Sequence, residues 1–422
     1  MASSVYAPST ERTPLSASLA LLAGIALSAL VLAPIQRVGG LPISSFFLFS
    51  LLGVLAIRRI PRAPSLIWAL SLLVITLFSA RTYIAAGGSI KDAAYSYIVL
   101  QQFISFLFVW TILENRGYEF IVRSLKVMLI GQLLLMAAQT LNLLNIVNLF
   151  APYWTWLATN VAADVNQALA FVSGAESRRV PGTFGNATYA AMLCYLLART
   201  IYLTDPRHRW LFLGFVGLLL GGHRMGLLAF FLFEFVIRFL TGRSFITGLL
   251  FALGGLLVFI LFLGGMAWAD SSKTYPNLVG WTINAFVIEQ RFDWRDLESL
   301  FHRLNMINWA LTSPERLLVG GLSLTELPPD AYVDSEFVLR SLQFGLPGFL
   351  LLLGPYLWPL TLCRDHRALF LAFFITFLSI TTTVSTNPVC IPYLSLYLGL
   401  LLHRRRQKIR SEADKTNELG QR

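Results

Sequence analysis

A chain of 422 residues that is 56% hydrophobic and 13% charged, with a mean hydropathy of +0.66, carries about half the charged complement of an average soluble domain. A water-soluble fold of this size could bury a large core but could not keep so apolar an exterior, which leaves lipid as the solvent. The net charge of +11 does not signal a nucleic-acid partner, because the basic residues punctuate apolar runs in clusters and form no continuous face.

The polar segment 1–14 runs into an apolar stretch with no A-x-A cleavage site, so that stretch reads as a first helix rather than a signal peptide. A spanning helix needs about 20 mainly apolar residues, since its backbone must satisfy its own hydrogen bonds in hydrocarbon. Twelve segments are candidates: 15–35, 42–57, 65–80, 94–113, 125–146, 186–204, 208–222, 225–240, 245–268, 343–362, 367–387 and 389–402. The expected fold is an all-α polytopic membrane protein, with a transmembrane domain over 15–402 and a polar, unstructured cytoplasmic tail over 403–422. Arg58, Arg59 and Arg62, then Arg207 and Arg209, Arg243, Arg364 and Arg367, and Arg404 to Arg406 with Lys408 and Arg410 all fall on one side of this threading. By the positive-inside bias that side is cytoplasmic, as are both termini, and loops 147–185 and 269–342 face outward. The segment 208–240 is either one long helix or a hairpin. A single helix would bury Arg224 near mid-bilayer at a cost of about 2.5–3.5 kcal/mol, so the hairpin is preferred.

The outer loops hold the residues that ask for an explanation. Phe150, Tyr153, Trp154 and Trp156 suit an interfacial helix in the first loop. In the second, Leu297, Leu300, Phe301, Leu304, Ile307 and Leu311 recur at helical spacing opposite Asp296, His302 and Arg303. Arg178 and Arg179 precede Val180-Pro181-Gly182-Thr183-Phe184-Gly185-Asn186. Asn186 suits a helix N-cap, and exposed N–H groups beside two guanidinium groups suit a phosphate; a snorkelling pair beside a turn is the plainer alternative. Arg224, in the Gly221-Gly222-His223-Arg224 turn, either snorkels to headgroups or pairs with a specific anion. Arg291, Arg295 and Arg303 have Asp293, Asp296 and Glu298 as ready partners. Asp334, opening Asp334-Ser335-Glu336-Phe337, reads as a helix cap or as a base for an incoming hydroxyl. The following Gly345-Leu346-Pro347-Gly348 reads as a break where an outer helix turns into a span. Neither GxGxxG, P-loop nor HExxH occurs, so an activated substrate arrives by another route, of which lipid is the obvious one. No cofactor or metal is expected: Asp330 and Asp334, like Asp293 and Asp296, lack companion ligands, and Cys194, Cys363 and Cys390 have no metal spacing.

Over residues 120–400 this ordered set resembles the O-antigen polymerase and O-antigen ligase superfamily. Arg179 through Asn186 looks like the family's arginine followed by Gly-Thr-Phe-x-Asn, and His223-Arg224-Met225-Gly226 like its Ser-Arg-x-Gly turn, with His where Ser is common. Arg303 through Trp309-Ala310-Leu311, then Pro314 and Gly320-Gly321, looks like its loop helix and Gly-x-Gly end, although that end here reads Gly-Gly-Leu. The ligases carry a His-Asn type pair, nine residues, then Gly-x-x-Gly; here the same register begins with Asp334-Ser335, which favours the polymerase branch. The resemblance implies a GT-C-like glycosyltransferase of the bacterial inner membrane acting at its periplasmic face, inverting and metal-independent. Its implied partners are a lipid-linked oligosaccharide donor on undecaprenyl pyrophosphate, a lipid-linked acceptor and a chain-length regulator protein. Under that scheme Arg179 and Arg224, with Arg303 next and Arg178 and Arg291 in reserve, stabilise the departing pyrophosphate, and Asp334 acts as base or orients the acceptor. The rival readings are a ligase, which Asp334 disfavours, and a lipid-oligosaccharide flippase or other transporter, for which mid-span charges such as Glu234 would matter.

Overall fold

The computed structural model describes residues 16–32, 35–38, 41–57, 60–85, 95–160, 180–184, 186–240, 314–322, 335–362, 366–379 and 384–420. The candidate span 245–268 and the amphipathic stretch 297–311 lie outside them. In chain order the elements are α1 (Ala17–Leu32), β1 (Ile35–Val38), β2 (Leu41–Ser44), α2 (Ser45–Gly53), α3 (Arg62–Ala85), α4 (Tyr95–Glu114), α5 (Tyr118–Thr140) and α6 (Ile146–Asn160). They continue with α7 (Ala187–Thr204), α8 (His208–Leu220), α9 (Arg224–Leu240), α10 (Pro314–Val319), α11 (Glu336–Leu357), α12 (Pro359–Leu362), α13 (His366–Ser379) and α14 (Cys390–Gly420).

The described chain is therefore almost entirely helical, and four of its helices are long and apolar enough to cross a bilayer: Arg62–Ile84, Ser96–Glu114, Tyr118–Thr140 and Glu336–Leu357. Their surfaces are turned inside out relative to a water-soluble bundle. On α3, Leu66, Leu70, Leu73, Leu77 and Ile84 form an exposed stripe, whereas Ser71, Ser79 and Thr82 are buried. The Ser71 hydroxyl donates to the Leu351 carbonyl on α11 at 2.7 Å, so a small polar residue joins two helices while leucines face outward. On α5 the same logic exposes Val127, Ile130 and Leu134 and buries Gln132 and Gln139. So large an exposed apolar surface has lipid as its natural solvent.

Helices that follow one another through tight turns run antiparallel, whereas α4 and α14 run side by side in the same sense, with Gln102 by Ser385 and Glu114 by Arg406, and the described bundle has two ends. One, the turn end, carries residues 180–186, 221–223, 335 and 384–389; the other, the basic end, carries Glu114–Tyr118, Asp205–Arg209 and His403–Arg410. The hairpin reading of 208–240 holds: Gly222 turns with φ +63°, Phe215 meets Phe230, and Gly226 packs under Leu218.

Two expectations change. The segment 42–57 is not one spanning helix: its start pairs as an antiparallel strand, Ile35 opposite Ser44 and Val38 opposite Leu41, and only the nine residues of α2 and a three-residue 3-10 turn follow. The twelve helical residues rise about 18 Å, shorter than about 30 Å of hydrocarbon, and the strand at Ser44 and the residues leading to α3 make up the rest of the passage from the turn end to the basic end. The polar tail after His403 is not unstructured either. It extends α14 to 31 residues, about 46 Å, because it lacks Pro, holds no Gly before its end, and pairs Arg406 with Glu114 at 2.6 Å.

The Gly345 break is present: α11 runs from the turn end toward the basic end through a kink at φ 70°, ψ 164°. The segment after α10 lies across it, with the Gly321 and Leu322 N–H groups donating to the Gln343 and Leu342 carbonyls at 2.9 and 3.1 Å. A Cβ on Gly345 would stand 2.5 Å from the Leu318 carbonyl oxygen, and one on Gly320 (φ +74°) 2.5 Å from the Gly345 nitrogen. Gly345→Ala is expected to combine a left-handed strain with this overlap and to lower stability by about 2–4 kcal/mol, read as a lower unfolding temperature in detergent.

At the basic end Asp205 accepts from Lys126 Nζ at 2.9 Å, with Arg207 Nε at 3.3 Å and Lys126 5.0 Å from the Trp210 ring centroid. Partial burial works to raise the Asp205 pKa, but the Lys126 and Trp210 hydrogen bonds and the charges of Lys126 and Arg207 outweigh it and hold the pKa below the ordinary 3.8. A carboxylate depressed in the folded state contributes stability that is present above pH 4 and is lost as pH falls through its lowered value. Asp205→Asn should therefore melt lower at pH 7 and lose less on acidification to pH 3 than the parent.

Candidate functional site

The turn end is built from three tightly held pieces of chain. The first is the Pro181–Phe184 turn. Gly182 adopts φ +57°, and a Cβ there would run into the Gln132 side chain. Its backbone is gripped from both sides: Gly182 N donates to Gln139 Oε1 at 3.0 Å, while Gln139 Nε2 and Trp154 Nε1 donate to the Gly182 carbonyl at 3.2 and 3.3 Å. The Thr183 hydroxyl donates to Gln132 Oε1 at 2.9 Å, and Tyr153 OH donates to the Thr183 carbonyl at 3.0 Å. This explains two glutamines buried in an apolar helix. It also changes the role of the α6 aromatics: α6 is the helix expected there, but Trp154 is fully buried against this turn instead of lying at the lipid boundary. Asn186 caps α7 as expected, its side chain accepting from Tyr189 N at 3.2 Å.

The second piece is the α8–α9 turn. It is joined to the first, since Val180 N donates to the Leu220 carbonyl at 3.5 Å. Gly221 lies against Ala187 and Ala191 at the start of α7, with no room for a side chain. His223 is buried, and its carbonyl accepts from Leu227 N at 3.0 Å in the first turn of α9. Arg224 opens that helix.

The third piece is the start of α11 facing the 384–389 segment. The N-cap of α11 is Ser335, whose hydroxyl accepts from Val338 N at 3.3 Å, so the capping role considered for Asp334 belongs to its neighbour. Glu336 is completely buried, with each of its oxygens satisfied. Its Oε2 accepts from the Ser379 hydroxyl (2.9 Å), Val384 N (2.8 Å) and Ser385 N (2.9 Å). Its Oε1 accepts from the Ser385 hydroxyl (2.8 Å) and Thr386 N (2.7 Å). Three successive backbone N–H groups make a nest for an anion, and here the protein fills it with its own carboxylate. One helical turn on, the buried Arg340 guanidinium donates to Thr386 Oγ1 (3.1 and 3.3 Å) and to Gln343 Oε1 (2.6 Å). A buried anion and a buried cation thus hold the same segment, 384–386, from one face of α11.

No protein-family model matches the chain, and no curated protein matches it.

Of the residues singled out from sequence, Arg178, Arg179, Arg291, Arg303 and Asp334 lie outside the described residues. Arg224 is placed by its backbone at the turn end, beside the turn that follows Arg179 in sequence. The described parts of the motif regions, 180–184 with Asn186, 221–226, 320–322 and 335–348, share one end of the bundle. Sequence reasoning passed over Glu336 and Arg340. Their spacing of four on the apolar α11 was the available signal, since two opposite charges on one face of a membrane helix need partners. It also passed over Arg199, which lies within a candidate span and is the buried ion-pair partner of Glu234. Among the described residues no group of three or more His, Cys, Asp or Glu side chains gathers as a metal would require.

Proposed function

We propose that the protein is a polysaccharide polymerase that joins undecaprenyl-pyrophosphate-linked oligosaccharide repeats, of O-antigen or a related surface glycan, at the periplasmic face of the bacterial inner membrane. The observation that carries this reading is the gathering of three separate motif regions at one end of the bundle while the basic clusters occupy the other. By the positive-inside bias the basic end is cytoplasmic, so the turn end faces out, where lipid-carried oligosaccharides are polymerised. About twelve spans and a GT-C-like arrangement belong to the same proposal.

In this scheme the growing glycan on its pyrophosphate lipid is the donor, and a sugar hydroxyl of a single lipid-linked repeat attacks the anomeric carbon. The C–O bond to pyrophosphate breaks with inversion, and the departing diphosphate takes the developing negative charge. Arg179 and Arg224 flank the joined 180–186 and 221–223 turns, and their guanidinium groups are assigned to that charge, followed by Arg303, with Arg178 and Arg291 in support. Asp334, one residue before the Ser335 cap, receives or orients the acceptor hydroxyl proton. The held backbone around Gly182 and Ser335 gives these side chains a rigid base, which preorganised charge stabilisation requires.

Purified protein supplied with defined lipid-linked repeats should lose about 10²–10³-fold in elongation rate on Arg179→Ala or Arg224→Ala, the scale of removing one preorganised donor. Full activity in both would sink the assignment, and full activity in Asp334→Asn would remove that residue from the chemistry. In cells, deleting the protein should abolish the long glycan ladder while one attached repeat persists. Absence of every attached repeat would point instead to ligation or flipping.

A further inference from the structure

The basic end carries a second feature, unrelated to the turns. A groove of about 620 Å³ opens there between the start of α3, the end of α4, the end of α11 and α14. Its walls are apolar, with Ile60 and Ile409 more than half exposed and Trp110 and Trp358 at the same level. Its rim is basic. Arg406 is already engaged, with its guanidinium 2.6 Å from Glu114 and 5.7 Å from the Trp110 ring centroid. That pair uses up the groove's carboxylate, and Arg405 and Arg410 make no ion pair or side-chain hydrogen bond among the described residues. The groove also lies beside the N-terminus of the 24-residue α3, which adds positive partial charge.

We propose that this groove holds one anionic phospholipid, with its phosphate between Arg405 and Arg410 and its acyl chains against Ile60 and Ile409. The charge complementarity selects the ligand's sign, and the exposed isoleucines select its body. A free anion would leave that apolar wall facing water, and a zwitterionic lipid would bring its headgroup cation beside the two guanidinium groups. Trp358, half-buried on the groove wall, suits the headgroup boundary, where such a lipid's glycerol would lie. The site is independent of the proposed polymerisation and of which side of the membrane this end faces. It gives the extended part of α14 a reason to stay helical beyond the bilayer: the helix carries the two arginines to the phosphate.

The test is native mass spectrometry of the full chain in detergent, titrated with phosphatidylglycerol or with phosphatidylcholine of the same acyl chains. The parent should retain phosphatidylglycerol selectively. Arg405→Gln with Arg410→Gln should weaken retention about twenty-five-fold, from about fivefold per basic residue. Ile409→Asn, which removes the apolar wall and adds no charge beside either arginine, should weaken it, and Arg123→Gln, a basic residue of the same end outside the groove, should not. Unchanged retention in the double variant, equal retention of phosphatidylcholine, or displacement by millimolar inorganic phosphate would each overturn the proposal. If the double variant fails to fold, Ile409→Asn and Arg410→Gln alone decide the question.

Discussion

Glu336→Gln should lower the stability of the protein by about 3–6 kcal/mol, visible as a large drop in unfolding temperature in detergent. The carboxylate receives five hydrogen bonds, three on Oε2 and two on Oε1. An amide keeps one accepting oxygen, so at best the Oε2 set survives. The new NH2 group then faces the Ser385 hydroxyl and Thr386 N, replacing two charge-assisted bonds worth about 1.5–3 kcal/mol each and leaving a buried N–H opposite a donor. The loss would not stay local, because Arg340 holds the other side of Thr386. Ser385→Ala, which removes one donor and no charge, should cost about 1–2 kcal/mol. The comparison also separates two roles for Glu336. If it anchors α11 to the 384–386 segment, elongation and stability fall together. If Glu336→Gln stays as stable as the parent while elongation stops, Glu336 belongs to the chemistry and the anchor account is wrong.

What was legible in the sequence was whatever local rules decide. The apolar length rule located most of the helices. The Gly221-Gly222 pair marked the hairpin, Asn186 its cap, and Gly345-Leu346-Pro347-Gly348 the kink, because each depends on a few neighbouring residues. The strand pairing at 35–44 was also locally encoded: Gly39-Gly40 between Ile35–Val38 and Leu41–Ser44 is a hairpin signal that a count of apolar residues from 42 onward passes over. What was not legible depends on partners far away in the chain. Gln132 and Gln139 are polar interruptions of α5 until the Gly182 turn, more than 40 residues later, is laid against them. Trp154 looked like a boundary residue because composition cannot distinguish a lipid headgroup from a buried carbonyl as the partner of an indole N–H. The candidate site divides in the same way. Its turns could be read from glycine and asparagine, but the Glu336 nest needs Ser379 and residues 384–386, brought in by the return of α13 and the start of α14.

Removing either member of the Arg199–Glu234 pair is expected to cost about 3–5 kcal/mol, and removing both to apolar residues is expected to restore most of it. Both side chains are at least 93% buried, on α7 and α9, and the arginine also lies over aromatic rings, 4.7 Å from the Phe233 centroid and 4.9 Å from that of Phe370. A lone charge left in this environment keeps its desolvation penalty and loses its partner. Arg199→Met with Glu234→Leu removes both penalties at similar volume, so the double variant should melt within about 1 kcal/mol of the parent, with a coupling energy of several kcal/mol between the single changes. The same set of variants weighs the transport reading. A carrier that moves its substrate past intramembrane charges would be stable but inactive in the Met/Leu double variant. A polymerase whose chemistry lies at the turn end would keep elongating, because the pair joins α7 to α9 among Phe233 and Phe370, with Arg199 more than three helical turns along α7 from its Asn186 cap. Loss of elongation in a double variant as stable as the parent would therefore count against the polymerase reading and move the function into the interior of the bundle.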